Sequence, residues 1–104
     1  MIMVTNNIKI QKGKAHAVSE RFKQRKGIEQ TPGFVRMQLQ ISTDEEEHDV
    51  LRVCTTWESE EAFKAWTQSD SFREAHSKRN EQPSNAENPI LGAYLTKAEI
   101  VYEL

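Results

Sequence analysis

Few residues in this chain combine a reactive side chain with a telling position. One is a histidine closing the stretch SEEAFKAWTQSDSFREAH, residues 59–76, in which Phe72 and His76 are four apart and share a helix face. Phe63 and Trp66 stand three apart on the preceding piece. Neutral imidazole is the commonest metal ligand among side chains. No second His or Cys stands at zinc-site spacing to His76, which argues against structural zinc. One histidine among aromatic and apolar neighbours suits haem iron better, where a proximal His is enough. The plainer reading is that aromatics at helical spacing form core, and that a lone histidine is simply packed or exposed.

Two arginines give a second possibility. Arg21 and Arg25 are four apart on one helix face. They form either a solvated strip paired with Glu20 or Glu29, or a clamp for carboxylates such as the propionates of a porphyrin. The fixed donor fork of arginine suits the second task.

The third possibility is an amide in an apolar row. In MIMVTNNIKI the even positions read Ile2, Val4, Asn6, Ile8, Ile10, and the odd ones Met3, Thr5, Asn7, Lys9. Such alternation predicts a half-buried strand with its apolar row inward. A buried carboxamide needs hydrogen-bond partners or costs roughly 1–3 kcal/mol. Asn6 therefore either bonds neighbouring backbone or water, or addresses a ligand in a pocket that its face lines. The single cysteine, Cys54, falls in another strand and reads as a small buried hydrophobe. Residues 43–49, TDEEEHD, read as a solvated hairpin tip that includes His48; a metal site there is the weaker rival, since adjacent carboxylates need a folded loop to converge.

These residues need elements to hold them. Gly13 ends the first strand, and Ala15, Val18 and Phe22 recur at helical spacing, which predicts a helix over 14–26 stopped at Gly27. Thr31-Pro32-Gly33 is a turn. FVRMQLQIS, residues 34–42, is a strand with Val35, Met37, Leu39 and Ile41 on one face. VLRVCTTW, residues 50–57, is the third strand. Ser59 caps a helix with early acids, and Ser69-Asp70-Ser71 breaks it and starts a second short helix near Ser71. The polar run 77–89 is a loop long enough to carry function. LGAYLTKAEIVYEL, residues 91–104, is a fourth strand with Tyr94, Thr96, Ala98, Ile100, Tyr102 and Leu104 on one face.

The order β-α-β-β-α-β, with its second helix broken, is α+β and ferredoxin-like. The 104 residues make one domain, 1–104, with one modest core. Pairing two such sheets into a closed barrel would remove exposed edges, so a homodimer is expected. Sixteen acidic against fourteen basic residues leave a net charge of −2, which gives no electrostatic case for nucleic acid or an anionic membrane. No apolar run reaches membrane-spanning length, and no signal peptide is evident. The lone cysteine fits a reducing compartment, so a cytoplasmic location is expected.

The chain resembles the IsdG-type haem-degrading monooxygenases, a branch of the antibiotic-biosynthesis-monooxygenase-like dimeric α+β barrels. The resemblance rests on N-x-I-x-I-x-K-G at 6–13, RFKQRKGIE at 21–29, PGF at 32–34, TTWESEEAFKAWTQSDSFREAHS at 55–77 and the closing aromatic strand. It implies that Asn6, Trp66 and His76 are the functional trio, with His76 as the ligand to iron. Arg21, Arg25, Phe22 and Phe72 are the implied haem contacts. It further implies haem as both cofactor and substrate, and O2 on the distal side within reach of the Asn6 amide. Trp66 would press the macrocycle out of plane, which would favour attack on a meso carbon. Electrons would come from an external reductase or small reductant, since the chain has no flavin or nicotinamide fingerprint. The products would be an opened tetrapyrrole and free iron. Three readings compete: a cofactor-free oxygenase of the same barrel family, a haem carrier or sensor without turnover, and a dimerisation or ligand-binding module in which Asn6 and His76 are merely packed.

Overall fold

In a computed structural model of the chain, residues 1–23, 27–69 and 89–104 are described. Four strands form one antiparallel sheet: β1 (Ile2–Gln11), β2 (Phe34–Ser42), β3 (His48–Trp57) and β4 (Ile90–Glu99), in the order β2-β3-β1-β4. Helix α1 (Ala15–Phe22) follows β1, and α2 (Glu60–Thr67) follows β3. This is the ferredoxin-like arrangement expected from the sequence.

The apolar row of β1 does face the helices. Val4, Ile8 and Ile10 are buried with Leu51 and Trp57 of β3, Val18 of α1 and Trp66 of α2. These side chains form two clusters rather than one. Ile8, Ile10, Val18 and Leu51 gather under α1, with Phe22, Leu39, Ile41 and Val53 packed around them. Val4, Trp57 and Trp66 gather under α2, with Ile2, Phe34, Ala62 and Phe63 around them. Full burial of each such side chain contributes roughly 1.5–3 kcal/mol. Ser59 caps α2 as its sequence implies, its hydroxyl accepting from the Ala62 amide at 3.2 Å. Gly33 keeps β2 close to α2: its φ is +85°, and a Cβ there would collide with the Ala62 side chain.

Several expectations change. Helix α1 ends at Phe22, short of the predicted end at 26, of which 24–26 lie outside the described residues. Phe34 and Arg36 pair with Trp57 and Thr56, so Val35 is an extra, bulged residue and Phe34 takes its place on the helix face. His48 is not in the hairpin tip; it starts β3 opposite Gln11. Strand β4 stops at Glu99 instead of running to Leu104; the Ile100 amide still donates to the Met1 carbonyl at 3.0 Å, and residues 101–104 have no strand partner among the described residues. In the mostly polar odd row of β1, Asn7 is buried, only 7% exposed. The second helical piece from Ser71, and all but Pro89 of the 77–89 loop, lie outside the described residues.

The exposed acidic hairpin tip is tied down from one side. Lys12 Nζ donates to the carbonyls of Thr43 and Glu45, each at 2.7 Å, and lies 3.0 Å from Asp49 Oδ1 as an ion pair. The Gly13 amide donates to Asp49 Oδ2 at 2.9 Å. That backbone hydrogen bond, helped by Lys12, holds the Asp49 carboxyl below the usual carboxylate range. The folded state thus favours ionised Asp49, so its stabilisation is complete above the unfolded carboxylate pKa and is lost as pH falls below 3.8. Melting temperature measured against pH should drop more steeply below 3.8 in the wild type than in Asp49→Asn, which cannot lose a charge there.

Candidate functional site

The two clusters leave a seam, and Asn6 stands in it. On the helix face of β1, Asn6 falls between Val4 of the α2 cluster and Ile8 of the α1 cluster. Register places Val53 opposite it on β3, Leu39 beyond Val53 on β2, and Leu95 opposite it on β4. Opposed residues of an antiparallel pair share a face. The row across the sheet is therefore Leu39, Val53, Asn6, Leu95, apolar except for one amide. Asn6 is half-buried, and its carboxamide has no hydrogen-bond partner among the described residues.

Its neighbour shows what a structural asparagine looks like in this sheet. Asn7 points to the other face and shares its amide hydrogens among the Thr96 hydroxyl at 3.2 Å, the Tyr94 carbonyl at 3.3 Å and the Thr5 carbonyl at 3.4 Å. It pins β4 to β1. Sequence reasoning missed this role because the odd row looked mostly polar. The signal available was its adjacency to a strand whose partner was unknown.

Helices flank the seam with aromatic rings. Trp66 of α2 is 6% exposed and stacks on Trp57, with ring centroids 6.5 Å apart and planes 29° from parallel. Trp57 is fully buried, donates from Nε1 to the Thr55 hydroxyl at 3.0 Å, and is met edge-on by Phe34 and Phe63. Trp66 thus rests on a ring that is itself held on several sides. From the other side Phe22 of α1 packs on the cluster that contains Ile8. The adjacent Arg21 is exposed and has no ion-pair partner among the described residues, because Glu20 pairs with Lys23 at 2.8 Å instead. The structure thus places Phe22 and Trp66 in the two clusters that flank Asn6 along β1, with exposed Arg21 next to Phe22 in the chain. His76, Phe72 and Arg25 lie outside the described residues.

Chemically, this seam offers a neutral donor and acceptor in apolar surroundings, flat aromatic walls and an unengaged cation beside it. It suits a large, flat, mostly apolar ligand with anionic substituents. Among the described residues no three His, Cys, Asp or Glu side chains converge as a metal site. A concavity of about 430 Å³ on the opposite sheet face is bordered by Asn7, Lys9, His48, Arg52 and Tyr94, and the sheet separates it from Asn6. No helix among the described residues is long and apolar enough to cross a membrane.

Comparison with known proteins adds four findings. The antibiotic biosynthesis monooxygenase family model matches residues 1–78. A Staphylococcus saprophyticus protein named heme oxygenase (staphylobilin-producing) is 36% identical over 104 residues, covering 100% of this chain and 99% of its own. A heme-degrading monooxygenase of Shouchella clausii is 40% identical over 83 residues, covering 80% of this chain and 78% of its own. Among solved structures, the heme-degrader MhuD of Mycobacterium tuberculosis, with two hemes bound in its active site, superposes with a TM-score of 0.73 at 28% identity. That match covers 100% of this chain and 99% of MhuD.

Proposed function

Because the chain belongs to the antibiotic biosynthesis monooxygenase family, and its full-length relatives carry the names of haem oxygenases, we propose that it is a haem-degrading monooxygenase. The observation that carries this reading is the Asn6 carboxamide, without a hydrogen-bond partner among the described residues and held half-buried in an otherwise apolar row between two aromatic-flanked clusters. A packed structural amide in this sheet is bonded three times over, as Asn7 is. Asn6 is left with its hydrogens unspent on the face where a flat ligand would lie.

Haem is substrate and cofactor at once, and supplies the iron at which O2 is activated. The chain's own residues divide the remaining work. His76 is the axial ligand. Asn6 donates an amide hydrogen bond on the distal side; being neutral, it orients a polar group there without exchanging protons at ordinary pH. Trp66 would bear on the macrocycle face of a bound haem. An indole backed by a buried second indole does not yield easily, which suits a lever that works by distortion. Arg21, with Arg25, takes the propionates through charge-assisted hydrogen bonds, and Phe22 and Phe72 line the apolar edge. Electrons come from an external reductase or small reductant, and the products are an opened tetrapyrrole and free iron. The working unit is a homodimer in the cytoplasm. The exposed Tyr94, Val101, Tyr102 and Leu104 are the apolar surface that a second copy would cover.

A haemin titration followed at the Soret band tests the binding half. The wild type should saturate near one equivalent per chain or above, and His76→Ala should lose the ligand-dependent Soret position. A featureless titration of the wild type would contradict the proposal.

A further inference from the structure

Leu95 is an apolar side chain in an unusual place. It stands directly across from Asn6 on β4, where opposed residues hold their Cβ atoms about 4.5–5.5 Å apart. It nevertheless remains 61% exposed, although its row partner Val53 packs into the core. Its neighbours on the same face of β4 do not crowd it. Ala93, opposite Ile8, carries only a methyl group. Lys97, opposite Val4, is drawn toward α2, with Nζ 3.1 Å from Glu60 Oε1 and 5.7 Å from the Phe63 ring centroid. Leu95 is therefore the long apolar side chain that stands between Asn6 and the β4 edge of the sheet.

Leu39 and Val53 pack against the α1 cluster, so a flat ligand over Asn6 lies toward the β4 end of the row, where it meets one hydrogen-bonding group and, at the outer end, the Leu95 isobutyl group. We infer that Leu95 is the wall that limits how far a porphyrin slides along this row, and so fixes which edge of the ring faces Asn6. It is a specificity-determining residue for the position of ring opening. The inference rests on the haem-degrading reading and adds to it the residue that sets the regiochemistry.

The test compares Leu95→Ala, Leu95→Phe and Leu91→Ala with the wild type. Leu91 is a similarly exposed leucine, 55% against 61%, at the irregular far end of the same strand. Haemin affinity is read by Soret titration, and the ratio of tetrapyrrole isomers by chromatography after turnover with ascorbate in air. Leu95→Ala should weaken haemin binding roughly tenfold, the loss that follows from removing most of a leucine contact, and should broaden the isomer mixture. Leu95→Phe should shift the ratio toward a different isomer. Leu91→Ala should match the wild type in both. Exposed as Leu95 is, none of the variants should lower the melting temperature. Wild-type affinity and isomer ratio in both Leu95 variants overturn the inference, as do equal changes in Leu91→Ala. A wild type that takes up no haemin overturns the functional reading itself, and this inference with it.

Discussion

Replacing Asn6 with leucine should leave haemin bound and stop most turnover. Affinity should stay within about threefold of wild type, because the apolar contacts that supply most of the binding remain. The rate of haem loss under reductant and air should fall about a hundredfold, the scale seen when one well-placed hydrogen-bond donor is removed from a low-dielectric site. Stability should move the other way. Asn6 has no partner among the described residues and sits in a row of Leu39, Val53 and Leu95. An apolar side chain there should hold or raise the melting temperature, as happens where a functional group is kept at a cost to stability. Asn7→Leu is the matching control. It strands the groups that Asn7 now bonds and should destabilise the fold by about 1–3 kcal/mol. If Asn6→Leu melts early and turns over normally, Asn6 is a packing residue.

Trp66 should show the opposite mixture. At 6% exposure and stacked on Trp57, it is core as well as the proposed wall of the haem site. Trp66→Ala should cost about 3–5 kcal/mol, the range for deleting a large buried aromatic. A domain of this size has only about 5–15 kcal/mol to lose, so chemical denaturation is the suitable measurement. Trp66→Phe keeps an aromatic ring over Trp57 and should fold with a cost under about 2 kcal/mol. Its thinner ring should press less on the macrocycle, so its bound Soret band should sit nearer that of a planar haem and its turnover should slow. A Trp66→Phe protein with an unchanged spectrum and rate would leave Trp66 a purely structural residue.

Much of this arrangement can be read from local pattern, and the limits of that reading are specific. Alternation places Asn6 on the helix face with Val4, Ile8 and Ile10, and the two helices follow from Ala15, Val18, Phe22 and from the Ser59 cap. What alternation lacks is register. The Val35 bulge moves Phe34 onto the helix face, and nothing in FVRMQLQIS marks it. The pairing of Asn6 with Leu95 joins residues far apart in the chain, and a one-residue slip would have put Tyr94 beside Asn6 instead. Glu20 pairs with Lys23, three residues on along the helix, which leaves Arg21 without an ion-pair partner among the described residues. The roles assigned to His76 and the trio came from resemblance, since helical spacing alone fits core aromatics equally well.

Haem degradation by this chain is decided by one measurement. Haemin-loaded wild-type protein is mixed with ascorbate in air with catalase present, and the Soret band and chelatable iron are followed together. The band should decay while iron appears in matching amount, and Asn6→Leu should keep its band about a hundred times longer. A Soret band that persists in the wild type, with no iron released, would contradict haem degradation and leave a haem-binding protein that does not degrade its ligand.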